Sequence, residues 1–250
     1  MIDPSTLSPW LWVAAPLVVM LAYTVFGLTG FGATAISVPL LAHWLPISYL
    51  GPLLVLLDTV AATTLGTRQR EHTAWVEVRR LVPFMLVGFA IGVTVLIGVE
   101  DRKLRLALGI FSILLGAHGI ASPTLRGAIS TLWAVPAGIV GGAIATTFGA
   151  GGPIYATYVT GRTQDKSVIR STVASLISIS SFTRSIIFAV AGLLLHVPLL
   201  VGAALMMPFM FAGMHLGQRI HVGLTQQQMR RVVGTLLVLV GITLIARALG

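Results

Sequence analysis

Long apolar segments separated by short polar loops form the main pattern of this chain. Most of them approach the roughly 20 residues that cross a bilayer as a helix. The first and fifth segments are longer and contain glycine-rich interruptions. The pattern therefore predicts an all-α, polytopic membrane protein of about eight transmembrane helices, whose first and fifth segments are broken or re-entrant. The segments are Trp10–Leu41, Ile47–Gly66, Leu81–Val99, Leu104–Ala121, Leu132–Val159, Ser171–Leu195, Val197–Gln218 and Arg231–Leu249.

A similar short phrase interrupts both long segments. The first copy runs from Gly27 to Thr34 and is closed by Pro39, and the second runs from Thr146 to Pro153. Lipid cannot satisfy the backbone groups that a helix break exposes, so such breaks occur where they line a protein-walled cavity. A matching pair in two halves of a transporter indicates the substrate site. The candidates from these phrases are Gly30, Phe31, Gly32, Thr34, Phe148, Gly149, Gly151 and Gly152.

Further matches indicate an internal duplication. The stretch 83–92 matches 208–217 at identical spacing, and Thr67-Arg68 matches Thr183-Arg184 at nearly the offset of the glycine phrases. We therefore predict two four-segment transmembrane repeats, residues 1–125 and 126–250, within one integrated membrane domain. If every segment crosses the membrane once, the repeats are parallel, whereas a re-entrant piece would change the parity and allow inverted repeats.

Composition agrees with a membrane protein and narrows the function. Of the 250 residues, 56% are hydrophobic and only 9% charged, against about 25% charged residues in soluble domains. The net charge of +9 comes from Lys and Arg between apolar stretches, which favours topology determinants and anion contacts over a nucleic-acid surface. Cysteine is absent, which excludes disulfides and thiolate metal sites. We expect a multi-pass protein of the cell membrane, surrounded by lipid, with no nucleic-acid partner and no cofactor.

Arg184 is the most informative charged residue, because apolar residues flank it on both sides. An arginine at membrane depth is costly unless it is paired or lines a wet cavity. One interpretation is a forked set of donors for an oxyanion, and the other is a structural ion pair with Asp58 of the second segment. Asp58 is also a candidate for proton coupling. Arg68 and Thr67, the repeat counterparts of Arg184 and Thr183, fit either an anion contact or a polar helix end.

Hydroxyl and imidazole side chains supply further candidates. Ser175 and Thr183 share the sixth segment with Arg184, so we include them as substrate ligands, although helix packing through small residues explains such stripes without function. His118 and His215 lie within apolar segments and are proton-coupling candidates. The sequence has no HExxH motif, nucleophile elbow or phosphate-binding loop. It therefore predicts no metal site, no enzymatic hydrolysis and no nucleotide-driven pumping.

These phrases resemble the TauE/SafE family of membrane permeases, known mainly as sulfite and sulfonate exporters. The family pattern is a glycine-rich stretch ending in proline and followed by a hydroxyl-rich helix, and it recurs in both halves. The stretches 27–39 and 148–153 match this pattern. The usual glycine triplet is altered, because the first copy reads Phe-Gly-Ala and the second places Gly151-Gly152 beside Pro153. The resemblance implies secondary transport, outward, of a small sulfur-containing or organic anion.

We therefore expect a secondary exporter of sulfite or a small organosulfonate in the bacterial inner membrane. It would work by alternating access at a midplane site between the two repeats. The alternatives are an anion channel, a carboxylate permease and an intramembrane enzyme acting on lipid. The sequence leaves the oligomeric state open, with a homodimer as one possibility.

Overall fold

A computed structural model describes residues 10–30, 32–65, 72–121, 129–219 and 226–249. Over these ranges every regular element is a helix, which confirms the predicted all-α class. Within these ranges, eight helical stretches are long and apolar enough to cross a membrane, so the chain is a multi-pass membrane protein. The helices are α1 (Leu11–Thr29), α2 (Ala33–Leu41), α3 (Ile47–Leu65), α4 (Trp75–Gly98), α5 (Asp101–Ala121), α6 (Ala134–Phe148), α7 (Gly152–Arg162), α8 (Lys166–Val190), α9 (Val197–Arg219) and α10 (Gln226–Leu249).

The predicted breaks in the first and fifth segments are both present. Gly30 and Gly32 adopt φ values of 81° and 95° between α1 and α2, and Gly149 adopts 69° between α6 and α7. Glycine reaches this left-handed region without the steric penalty of a Cβ. The 9 residues of α2 and the 11 residues of α7 extend about 13 and 16 Å at 1.5 Å per residue. Each is therefore a half-helix in a hydrocarbon core about 30 Å thick.

The first half-helix returns the chain through the membrane, because α1 and α3 run in the same direction. Gly217 of α9 packs on Gly27, and Gly213, one turn earlier, packs on Met20. Helix α1 is therefore parallel to α9. Helix α9 is in turn parallel to α3, because Tyr49 Oη donates to the Pro198 carbonyl oxygen at 3.4 Å and the following turns of both helices also meet. The chain must come back between α1 and α3, and α2 makes that return.

The second half-helix plays the same part between α6 and α8. Gly138 of α6 lies against Leu81 of α4, and Thr146 lies against Gly92, so α6 and α4 are parallel. The start of α4 is fixed to the start of α8, where the backbone N–H of Ala74 donates to a Thr172 hydroxyl at 2.9 Å. Helices α6, α4 and α8 therefore share one direction, and α7 is re-entrant.

Helices that the predicted repeats equate run in opposite directions. In the pair α3 and α8, Gly51 lies beside Phe188, while Thr59 Oγ1 lies 2.8 Å from Ser185 Oγ. In the pair α5 and α10, Gly109 meets Gly241 and an earlier turn of α10 meets a later turn of α5. Antiparallel counterparts are the arrangement of inverted repeats, related by an axis in the membrane plane. The division at residues 125/126 stays a prediction.

Polar contacts hold the ends of the two half-helices at opposite membrane faces. At the end of α7, Glu77 accepts hydrogen bonds from Tyr158 Oη at 2.6 Å and Arg162 Nε at 3.2 Å. Glu77 lies in the first turn of α4. Beyond the end of α2, His43 Nε2 lies 3.0 Å from Thr243 Oγ1. The backbone N–H of Ile47 donates to a carboxylate at the α4–α5 turn, at the other end of α4. Burial lowers the pKa of His43, which favours its neutral ring.

Glycines at the helix crossings allow backbones to approach closely. A Cβ added at Gly142 of α6 would lie 2.6 Å from the carbonyl oxygen of Met85 and 3.0 Å from the Cα of Gly88, both in α4. Backbone atoms cannot rotate away, so we expect Gly142→Ala to destabilise the protein by about 1–3 kcal/mol through overpacking. The melting temperature of the purified protein in detergent should fall by several degrees.

Gly98 is the matched control for this substitution. It lies in the last turn of α4, and a Cβ added there meets no heavy atom within 4 Å. Gly98→Ala should leave the melting temperature unchanged or slightly raised, because alanine favours a helix over glycine. Equal melting temperatures for the two variants would contradict the close α4–α6 packing.

Candidate functional site

Both helix breaks meet at one small cavity inside the helical bundle. The first break contributes Gly32 and Thr34, and the second contributes Gly149, Gly151 and Gly152. The cavity has a volume of about 30 Å³, which is room for about two water molecules. The structure therefore shows this site closed to a ligand the size of a sulfonate. The polar and charged side chains that complete its lining are Asp58, Tyr155, Ser180 and Arg184.

Arg184 and Asp58 form a buried ion pair at this cavity. Their closest atoms, Arg184 Nη2 and Asp58 Oδ2, are 3.6 Å apart, and the side chains are 5% and 10% exposed. The ion-pair interpretation of Arg184 is thus realised in the structure, and the pair also lines the cavity. Each charge compensates the other where water cannot solvate them freely, so the removal of one partner leaves an uncompensated buried charge.

The carboxylate of Asp58 connects four helices. Tyr23 Oη of α1 donates to Asp58 Oδ1 at 2.8 Å. Thr34 Oγ1, in the first turn of α2, donates to Asp58 Oδ2. Asp58 itself belongs to α3, and Arg184 approaches from α8. The half-helix α2 is therefore tied to the centre of α3, which is the most buried of the membrane spans.

The guanidinium of Arg184 retains hydrogen-bonding capacity. Its Nη1 donates to the carbonyl oxygen of Ala145, in the last turn of α6. Its Nη2 lies 3.5 Å from Ser181 Oγ, which is long for a hydrogen bond. Its Nε is buried and has no hydrogen-bond partner among the described residues. Donors that are buried without a partner are costly, and an oxyanion in the cavity would supply acceptors for them.

The two breaks pack directly on each other. A Cβ built on Gly149 would collide with the Cγ2 methyl group of Thr34. Gly149 also adopts a left-handed backbone, and its N–H donates to the Ala145 carbonyl oxygen at 2.9 Å. Glycine is therefore required at 149 both by its backbone conformation and by its neighbour. The same Ala145 carbonyl oxygen accepts from Arg184, so the break and the arginine share one backbone acceptor.

The structure places seven of the predicted site residues at the cavity. They come from the two breaks and from the ion pair, and they are Gly32, Thr34, Asp58, Gly149, Gly151, Gly152 and Arg184. Three further candidates, Phe31, Thr67 and Arg68, lie outside the described residues.

The remaining candidates lie elsewhere in the fold. Gly30 caps α1 through its N–H to the Phe26 carbonyl oxygen, and Phe148 stacks on Phe111 at 6.0 Å. Ser175 Oγ lies 3.1 Å from Thr73 Oγ1, near the start of α4. Thr183 is half-buried and is not part of the cavity lining. His118 and His215 are exposed on α5 and α9, away from the Asp58 carboxylate and its direct partners.

Tyr23 and Tyr155 are two residues of the site that the sequence analysis does not predict. Tyr23 donates to Asp58, and Tyr155 is 1% exposed and lines the cavity beside Gly151. A usable signal was present, because each is an aromatic residue with a polar tip within seven residues of a glycine break. Buried tyrosines of this kind bring a hydroxyl group to a site while their ring packs in the core.

A larger cavity of about 240 Å³ lies beside the α4–α5 turn, away from the ion pair. Its lining is mainly apolar, and among the described residues that line it Asp101 alone is charged. Asp101 already accepts from Ile47 N at 2.8 Å and from Arg105 Nε at 2.6 Å. This lining suits an anion poorly, because its charge is negative. Over the described part of the chain, no group of His, Asp and Glu side chains is arranged to hold a metal ion.

Comparison with known proteins adds one finding. A model of the family described as Sulfite exporter TauE/SafE matches residues 15–244. The match includes both helix breaks, Tyr23, Asp58 and Arg184. No curated protein and no solved structure gives a significant match to the chain.

Proposed function

Because this chain belongs to the sulfite exporter TauE/SafE family, we propose that it exports sulfite or a small organosulfonate across the bacterial inner membrane. Family membership and the eight apolar helices of the described ranges make it a multi-pass membrane transporter, not an enzyme. The substrate, the direction and the alternating-access mechanism are the parts that we propose.

The observation that carries this proposal is the convergence of both helix breaks on Arg184. The first residues of α2 and α7 line the cavity that the guanidinium also lines. Helix N-termini carry partial positive charge and free N–H groups, which favour anions. Pro153 lacks an N–H, so the donors of α7 come from its other residues. Together these groups suit a compact oxyanion with several acceptor oxygens, such as sulfite or a sulfonate group.

The inverted arrangement supports alternating access. The ends of α2 and α7 are attached at opposite membrane faces, and their starts meet at the closed cavity. Movement of one half against the other would separate the breaks on one side at a time. The closed cavity then corresponds to the conformation between the two open ones.

Counterflow in proteoliposomes tests the transporter against a channel. Vesicles that contain the purified protein and are preloaded with unlabelled sulfite or sulfonate should take up the labelled anion faster than empty vesicles. Unlabelled substrate inside the vesicle accelerates uptake of the labelled anion through a transporter, but it does not accelerate uptake through a channel. Uptake that is equal with and without preloading would favour an anion channel and contradict the proposal.

Thermal unfolding ranks the substrates. The purified protein should melt at a higher temperature with its substrate, because a ligand that binds only the folded state stabilises it. We expect stabilisation by sulfite or by two- and three-carbon sulfonates, and little by matched carboxylates. Stabilisation by carboxylates alone would instead identify a carboxylate permease.

A further inference from the structure

We propose that the site accepts a monovalent anion only when Asp58 carries a proton, so that one proton crosses the membrane with each anion. This inference rests on the proposed transport function and adds its coupling. Because the proton and the anion move in the same direction, export is driven by the outward gradient of the anion, against the inward proton gradient of a bacterial inner membrane. It identifies the substrate class as an oxyanion with a single negative charge, such as hydrogensulfite or a monosulfonate.

The Asp58 carboxylate is itself an anion beside Arg184, at the position that a substrate anion would need. Its Oδ2 lies 3.6 Å from Arg184 Nη2, and both groups line the same cavity. A substrate anion that reached the guanidinium would stand next to the ionised carboxylate. Like charges within a few ångströms repel strongly when water is excluded. The carboxylate must therefore lose its charge before a substrate anion can bind.

The neighbours of Asp58 tolerate both of its protonation states. The groups that face it are the Tyr23 hydroxyl of α1, the Thr34 hydroxyl of α2 and the Arg184 guanidinium of α8. Hydroxyl groups donate to a carboxylate and can also accept from a protonated carboxyl group. Of these three neighbours Arg184 is the charged one, and it stays charged throughout.

The net charge of the site depends on the protonation of Asp58 and on whether an anion is bound. Two states are neutral: ionised Asp58 with Arg184 and no substrate, and protonated Asp58 with Arg184 and a monoanion. The other combinations leave a net buried charge, which is strongly disfavoured. The neutral states are the ones that can change conformation, so the proton and the monoanion move together. A dianion would leave a negative charge in the second state, so the site should select monoanions.

The test uses the purified full chain in proteoliposomes and a strongly acidic sulfonate, which stays monoanionic over the pH range used. An imposed pH gradient should drive its accumulation, while a potassium diffusion potential without a pH gradient should not. A pH-sensitive dye should report one proton moved per anion. Net flux that carries charge, or that leaves the pH unchanged, would overturn the inference.

Asp58→Asn is the informative variant. The site of this variant is neutral only when an anion is bound, so only the loaded site can change conformation. Counterflow should therefore persist, while accumulation driven by the pH gradient should be lost. Anion binding should also become independent of pH. Glu100→Gln is the control, because this carboxylate is exposed at the α4–α5 turn and pairs with Lys103 at 3.2 Å. Proton-driven accumulation by Asp58→Asn would sink the coupling.

Different results would contradict the transport function and the proton coupling. Counterflow by the wild type without any response to the pH gradient leaves the transport function intact and removes only the proton coupling. Absence of counterflow with every sulfur anion removes both. The wild-type measurements decide the coupling even where Asp58→Asn fails to fold, because they do not depend on the variant.

Discussion

Arg184→Ala should abolish both the anion-dependent rise in melting temperature and counterflow. Among the described residues that line the cavity, Arg184 alone carries a positive charge, and its removal takes away the charge that attracts the substrate. The variant also leaves Asp58 buried without its ionic partner, which costs about 3–5 kcal/mol of stability. We therefore expect a large fall in melting temperature in addition to the loss of transport. Binding of any substrate anion with wild-type affinity would contradict a role for Arg184.

Two further variants separate the role in binding from the role in folding. Arg184→Lys keeps a charge but loses the forked geometry of the guanidinium. A lost hydrogen bond to a charged group is worth about 1.5–3 kcal/mol. The affinity of this variant for the substrate anion should therefore fall roughly 10- to 100-fold. The double variant Asp58→Asn with Arg184→Gln removes both charges. It should recover much of the stability lost in Arg184→Ala while counterflow remains absent. Recovery of counterflow together with stability would show that the pair is structural only.

Gly149→Ala should reduce counterflow at least tenfold. Its left-handed backbone, with φ of 69°, costs an L-residue about 1–2 kcal/mol. The added Cβ would in addition collide with the side chain of Thr34, whose Cβ would be only 2.7 Å away. Because Thr34 also donates to Asp58, the collision would displace α2 and disturb the ion pair.

Gly192→Ala is the matched control for this effect. Gly192 has a similar φ of 76°, but a Cβ added there meets nothing within 4 Å. It should lose about 1–2 kcal/mol of stability from the backbone alone and keep its transport rate. Thr34→Ser removes the colliding methyl group and keeps the hydroxyl, so it should partly restore counterflow to Gly149→Ala. Equal effects of the two glycine variants would mean that contact between the breaks is unimportant.

The sequence predicts where along the chain the site lies, but it predicts only some of the residues that form the site. Gly32 and Gly149 adopt left-handed backbone conformations. This requirement depends on the local chain alone, so the glycines reveal it in the sequence. Arg184 stands out because a charge among apolar residues needs a partner wherever the chain folds. Ser175 shares its helix with Arg184, but it lies near the start of α4 instead, where its hydroxyl contacts Thr73. Helical spacing gives the face of a helix and not the neighbour that covers it.

The direction of the halves also had to come from three-dimensional contacts. Segment lengths allowed either eight simple crossings or re-entrant pieces, because a broken segment has the same composition in both cases. The contacts of Gly217 with Gly27 and of Gly213 with Met20 make α9 parallel to α1. The contacts of Tyr49 with Pro198 and of Leu53 with Gly202 make α9 parallel to α3, so α1 and α3 are parallel. Only then does α2 become a re-entrant half-helix and the two halves become inverted.

The sequence by itself determined that the protein lies in a lipid bilayer, that it is all-helical, and where two of its segments are broken. Apolar length specifies helices that cross a bilayer, and glycine with proline specifies where they stop, because lipid offers no partner to an exposed backbone. The tertiary structure alone decided that Tyr23, Thr34 and Arg184 converge on Asp58. Those contacts join residues of four helices, and no local pattern encodes a distance between segments that meet only after packing.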